Sequence, residues 1–103
     1  MRPGVRLAVD VGTVRVGLAR SDAGGVLALP LETLTRQDDA SEINEIVRYA
    51  HELQAIEIIV GLPRHMRGGE GISAKGARRY ARKLKMVLPE CRVCLVDERL
   101  SSH

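Results

Sequence analysis

Asp10 ends an apolar run, Val5-Arg6-Leu7-Ala8-Val9, and is followed at once by Val11-Gly12-Thr13. A carboxylate in apolar surroundings must be compensated by a cation or by hydrogen bonds. The same pattern recurs near the other terminus, where Cys91-Arg92-Val93-Cys94-Leu95-Val96 runs into Asp97-Glu98-Arg99. Two apolar strands that each end in acid bring carboxylates to one edge of a sheet, as a hard divalent cation requires. Taken singly, each acid has a plainer role. Asp10 could cap the turn at Gly12-Thr13, and Asp97-Glu98 could open a helix, where acids meet the positive end of its dipole. Their conjunction with a basic surface favours metal-assisted phosphodiester chemistry, in which the metal activates water and steadies the leaving oxygen.

That basic surface comes from charge segregation. The formal net charge is only +3, but residues 64–85 hold eight basic residues (Arg64, Arg67, Lys75, Arg78, Arg79, Arg82, Lys83 and Lys85) against one acid, Glu70. Such asymmetry points to an anionic partner for one face. At ~100° per residue, Ala74, Ala77, Tyr80, Ala81, Leu84, Val87 and Leu88 share one arc of a helix, and the basic residues take the opposite arc. A charged arc is usually an ordinary solvated face. Here, like charges at i,i+3 and i,i+4 repel without relief. A phosphate backbone would remove that cost and release counterions.

Other reactive groups carry less. Cys91 and Cys94 stand three apart on an expected strand, so they point to opposite faces and read as structural thiols. His51 falls beside polar positions on a helix, and His65 has no evident partner. No Ser-His-Asp or Cys-His arrangement can be argued. The loop 64–72 leaves a strand's carboxyl end, where open α/β sheets place ligands, but lacks the Gly-Lys-Ser/Thr of a phosphate-binding loop.

The elements that must position these residues follow from pattern. Residues 5–11 read as a strand apolar on both faces, hence central, and 14–20 as its hairpin partner across Gly12-Thr13. An extended stretch over 26–34 contains Pro30, which suits an edge strand. Asp39 or Ser41 can cap a helix over 41–54, with Ile43, Ile46, Val47, Ala50 and Leu53 on one face. A β-branched strand over 56–60 ends at Gly61-Leu62-Pro63. Ser73 opens the basic helix, which runs to Leu88 and stops before Pro89, and the strand 91–96 follows. The order β-β-β-α-β-α-β describes a three-strand meander and then crossovers that favour parallel, right-handed connections.

Length and composition agree with one α/β domain over 1–103. Hydrophobic residues make up 45%, but Tyr49 and Tyr80 are the only aromatics, so the core must be aliphatic. No apolar run approaches the ~20 residues that cross a bilayer. The N-terminus lacks an apolar signal core, so no membrane association and a cytoplasmic location are expected.

Val9-Asp10-Val11-Gly12-Thr13, with Arg15-Val16-Gly17-Leu18-Ala19 and Ser21-Asp22, resembles the opening motif of the YqgF/RuvX family. Val60-Gly61-Leu62-Pro63 resembles its second motif and Asp97-Glu98-Arg99-Leu100-Ser101 its third. The resemblance implies an RNase H-like fold, a five-stranded mixed sheet of order 3-2-1-4-5 flanked by helices. It also implies an Mg²⁺- or Mn²⁺-dependent nuclease, acting in 5′-end maturation of pre-16S rRNA or, alternatively, on Holliday junctions. By motif, Asp10 and Glu98 would be metal-binding catalytic carboxylates, with Asp97 the neighbouring candidate. Nucleic-acid contacts are expected at Thr13, Arg15, Arg64, Arg67, Lys75, Arg78, Arg79 and Arg82. The expected partners are structured RNA, branched DNA or ribosomal precursor particles. Two departures stand out. Val14 replaces a frequent lysine, and family members continue through further helices bearing a third catalytic aspartate, with no acid after Glu98 here to fill that role. The expectation is therefore a C-terminally truncated domain, and a nucleic-acid-binding module without catalysis is the competing class.

Overall fold

A computed structural model describes residues 4–21, 28–62 and 74–97. The elements are β1 (Arg6–Val11), β2 (Arg15–Ser21), β3 (Ala28–Thr35), α1 (Ile43–Glu52), β4 (Glu57–Leu62), α2 (Ala74–Val87) and β5 (Arg92–Asp97). The five strands form one sheet in the order β3-β2-β1-β4-β5. As expected, β1 is central, antiparallel to β2 and parallel to β4, with β5 parallel beyond β4. Pro30 lies in β3, an edge strand, where a missing N–H costs no ladder bond. The register slips between Leu18 and Ala19, so that Leu31 is left over as a bulge residue between Glu32 and Pro30.

Both crossovers, β3-α1-β4 and β4-α2-β5, move across the sheet in the same direction. Right-handed connection then puts both helices on one face. The core lies there as a single cluster, with Leu7, Val9 and Val11 of β1, Val16 and Leu18 of β2, and Ile58 and Val60 of β4 beneath the helices. Ile43, Ile46 and Ala50 of α1 and Tyr80 and Leu84 of α2 complete it. Central position does not bury both faces of β1: Ala8 is half-buried and Asp10 exposed, because no described element covers the second face. On that face Arg6 Nε donates to Glu57 Oε1 at 2.9 Å, and Cys94 Sγ to Glu57 Oε2 at 3.1 Å. The Cys94 hydrogen bond, then the Arg6 hydrogen bond and charge, hold the Glu57 carboxyl below its ordinary pKa.

Three local expectations also change. Neither Asp39 nor Ser41 caps α1. Asp39 Oδ1 instead accepts the Ser41 N–H at 3.0 Å within a turn, and the N-cap residue is Glu42, with no side-chain cap bond to the helix. On α2 the buried arc is narrower than the wheel suggests, since Ala74 and Val87 are exposed at its ends. The cysteines are free, Cys91 buried and Cys94 half-buried. No helix among the described residues is long and apolar enough to cross a membrane.

Candidate active site

Alternation along β1 sends Leu7, Val9 and Val11 into the core and leaves Asp10 on the open face, one residue from the strand's carboxyl end. Its cross-strand neighbours are Gly17 on β2 and Gly61 on β4. Neither has a side chain, so space around the carboxylate is kept open. A Cβ built on Gly17 would lie 3.9 Å from Asp10 Cβ, ordinary contact, whereas a longer side chain would project over the acid. The result is a shallow cleft of about 430 Å³ over β1, β2 and β3, lined by Asp10 with Ala8, Gly17, Ala19, Pro30 and Thr33 among others. Asp10 is accessible by area, yet the surrounding protein strips part of its hydration and pushes its pKa above the ordinary carboxylate value. A cation would relieve that penalty.

The strand that carries the second acid region reaches the same end of the sheet. Gly61 pairs with Asp10 on one side and Val96 on the other, and Leu62 pairs with Asp97. The backbone of Asp97 thus stands two strands from β1, roughly 10 Å at the usual interstrand spacing. Among the described residues no group of three or more His, Cys, Asp or Glu side chains gathers to hold a metal ion.

The turn after Asp10 is tied down. Gly12 N–H donates to the Arg15 carbonyl at 2.8 Å, and Arg36 N–H to the Val14 carbonyl at 2.8 Å. The Arg36 side chain donates from Nη1 to the Gly12 carbonyl at 3.0 Å, and its guanidinium lies 5.3 Å from the centre of the Tyr80 ring. Tyr80 Oη in turn donates at 2.9 Å to Glu42 Oε2, while the Gln37 N–H donates at 2.9 Å to Glu42 Oε1. Burial first, then the Glu42 hydrogen bond, push the Tyr80 phenol well above its ordinary pKa, so it stays a donor. A charged guanidinium is thereby held beside the turn that follows the candidate carboxylate. Thr13 and Arg15 are exposed on that turn.

A sequence profile described as "RuvX: Holliday junction resolvase" matches residues 4–103. The chain belongs to the RuvX family. Relatives bearing the name "Putative pre-16S rRNA nuclease" include proteins from Kineococcus radiotolerans (52% identical over 99% of this chain), Frankia casuarinae (49% over 95%) and Thermobifida fusca (46% over 99%). The chain spans 55%, 49% and 63% of their respective lengths. Among solved structures, the ethanolamine utilization protein EutJ from Carboxydothermus hydrogenoformans superposes with a TM-score of 0.52. That pair is 19% identical, and the match covers 98% of this chain and 39% of the other. This second likeness concerns fold alone.

In this RuvX-family chain the expected site residues divide into three groups. Asp10, Thr13 and Arg15 share one end of the central hairpin. Lys75, Arg78, Arg79 and Arg82 are exposed on α2, a different element. Glu98, Arg64 and Arg67 lie outside the described residues, as does the side chain of Asp97. Arg36, Tyr80 and Glu42 were not legible as site residues. Their association depends on the register of β3 against β2 and on α2 crossing above it, and no local spacing in the sequence encodes either.

Proposed function

We propose that this chain forms the carboxylate-bearing part of an RNase H-like, metal-dependent nuclease that cleaves phosphodiester bonds in structured RNA. Maturation of the 5′ end of pre-16S rRNA in the cytoplasm, on ribosomal precursor particles, is the favoured role. The observation that carries the reading is Asp10, a partly desolvated carboxylate at the C-terminal end of the central strand, opening into a cleft beside glycines. Its pairing through Gly61 to the strand that ends at Asp97 supports a shared acidic edge. The names of the relatives supply the substrate.

Asp10 and Glu98, with Asp97 as neighbour, would hold Mg²⁺ or Mn²⁺. A bound metal of this kind supplies an activated water and charge stabilisation on the leaving oxygen. The chain's own residues have separate duties. Gly17 and Gly61 leave room for a phosphodiester at Asp10. Arg36, fixed by the Gly12 carbonyl and the Tyr80 ring, keeps the following turn and its Thr13 and Arg15 in place for phosphate contact. Arg64 and Arg67 would add to that contact.

The test compares wild type and Asp10→Asn in a longer form that includes the region where relatives extend further, on a pre-16S leader RNA and on a four-way DNA junction, with and without Mn²⁺. Residues 1–103 alone should cleave feebly or not at all. The longer wild type should cleave the RNA only with metal, and Asp10→Asn should abolish this while the circular dichroism spectrum is unchanged. Preferential cleavage of the junction would favour the second reading, which rests on the family's description as Holliday junction resolvase. Equal cleavage by both proteins would remove Asp10 from catalysis and leave a binding module.

A further inference from the structure

The basic residues of α2 do not form one stripe. At ~100° per residue, Arg78, Arg82 and Lys85 fall on the flank toward β5, while Lys83 falls toward α1 and Arg79 points outward. The contacts agree. Arg78, Arg82 and Lys85 line a groove of about 390 Å³ with Ala81 and with Val93 and Leu95 of β5, whereas Lys83 borders a separate hollow beside Ile43 and Asn44. β5 is an edge strand, so its outer N–H and C=O groups meet no sheet partner among the described residues. Leu95 is a large apolar side chain left 37% exposed on the groove floor. Among the described residues neither Arg78 nor Arg82 has an ion-pair partner. Lys85 is partly engaged, donating from Nζ to the Cys91 carbonyl at 3.0 Å.

From these features we infer that the α2–β5 groove is a track for one unpaired nucleic-acid strand leaving the candidate active site; the inference rests on the nuclease reading. Three arguments converge. The groove carries positive charge and no acid among its lining residues, which selects a polyanion. Its floor offers apolar contact, and the adjoining edge of β5 offers backbone groups with no strand partner among the described residues; both match base faces and Watson–Crick edges only where bases are unpaired. Its direction fits: the groove opens on the helix-bearing face and Asp10 on the other, so a strand leaving Asp10 turns around the carboxyl end of the sheet to enter it. Because β4 and β5 are parallel and α2 joins them, α2 runs back along the sheet. The Leu88–Cys91 link ties its C-terminal end to the start of β5, leaving Lys75 and Arg78 nearest the sheet end that bears Asp10. From Lys75 to Lys85 the helix rises ~15 Å, at ~1.5 Å per residue. That length faces only a few phosphates of one unpaired strand, whose spacing exceeds the ~3.4 Å of a duplex strand.

Binding without metal tests the track separately from cleavage. Fluorescence anisotropy in EDTA would use a labelled oligouridylate of about 12 nucleotides and an RNA duplex of equal length. The oligouridylate should bind at least about ten-fold tighter to wild type than to Arg78→Gln/Arg82→Gln, with a log–log salt slope shallower by about 0.7 per arginine removed. Leu95→Asp should weaken the single strand as well, and Lys83→Gln, on the flank toward α1, should change little. Both arginines are exposed, so the double variant should keep its fold, checked by its melting temperature. Duplex binding as tight as single strand, or equal loss in Lys83→Gln, would overturn the track. So would competition by polyglutamate as effective as by unlabelled oligouridylate, which would assign the groove to an acidic peptide. Because no cleavage is read, failure of Asp10→Asn to abolish activity would sink the nuclease reading without touching this result.

Discussion

At the scale of single residues, Asp10 is defined by what it lacks. Gly17 and Gly61 flank it without side chains, and the open face gives it no described partner that lowers its pKa. Desolvation alone raises it. A carboxyl whose folded pKa is raised contributes stability that is fully present below its ordinary value of 3.8 and lost as pH rises through the higher folded value. Asp10→Asn removes the charge, so the variant should match wild type below about pH 3.8 and be the more stable at pH 7. Thermal unfolding across that range measures it, and a variant less stable than wild type at pH 7 would mean that the carboxylate is already compensated. Mn²⁺ at pH 7 should raise the wild-type melting temperature more than that of Asp10→Asn. Glu57 behaves oppositely: its lowered pKa gives stability above the ordinary value, lost as acid protonates it.

At the scale of elements, the Arg36–Tyr80–Glu42 cluster joins α2, the entry to α1 and the β1–β2 turn. Glu42 is 6% exposed and receives two hydrogen bonds, so loss of either leaves a buried acceptor short of a partner. Tyr80→Phe should therefore cost about 1–3 kcal/mol in urea unfolding. Arg36→Met should cost less in stability but release the Gly12 carbonyl, seen as faster amide exchange at Gly12 and Arg36. Unchanged exchange there would show that the backbone bonds of the turn suffice without the guanidinium.

At the scale of the whole molecule, both helices and the helix-facing side of the sheet share one aliphatic cluster. Such an arrangement should unfold as a single unit. Far-UV circular dichroism reports all elements, whereas tyrosine fluorescence reports Tyr49 on α1 and the buried Tyr80 on α2. The two transitions should coincide in urea. Leu84→Ala, in the centre of that cluster, should shift both midpoints together and cost about 2–5 kcal/mol. Separate midpoints would divide the molecule into independently melting parts.

Much of this architecture was legible in the chain. β-branched runs marked the strands, Pro30 marked an edge, and the spacing of Ile43, Ile46 and Ala50 marked a buried helix face, because these signals are local and periodic. The sheet order followed from the family resemblance, and right-handed crossovers agree with it without fixing which strands are neighbours. Element ends drifted by one or two residues, and the cap of α1 was misassigned, since Asp39, Ser41 and Glu42 all offer an acceptor and tertiary partners decide among them. Only the tertiary structure decided three further things. It put both helices on one face and so left Asp10 on the other. It brought Arg36 from the end of β3 onto Tyr80 and Gly12, a meeting set by strand register. It also divided the basic arc of α2 between the β5 groove and the α1 side. Periodicity reports which residues share a helix face, but what that face meets depends on neighbours distant in sequence.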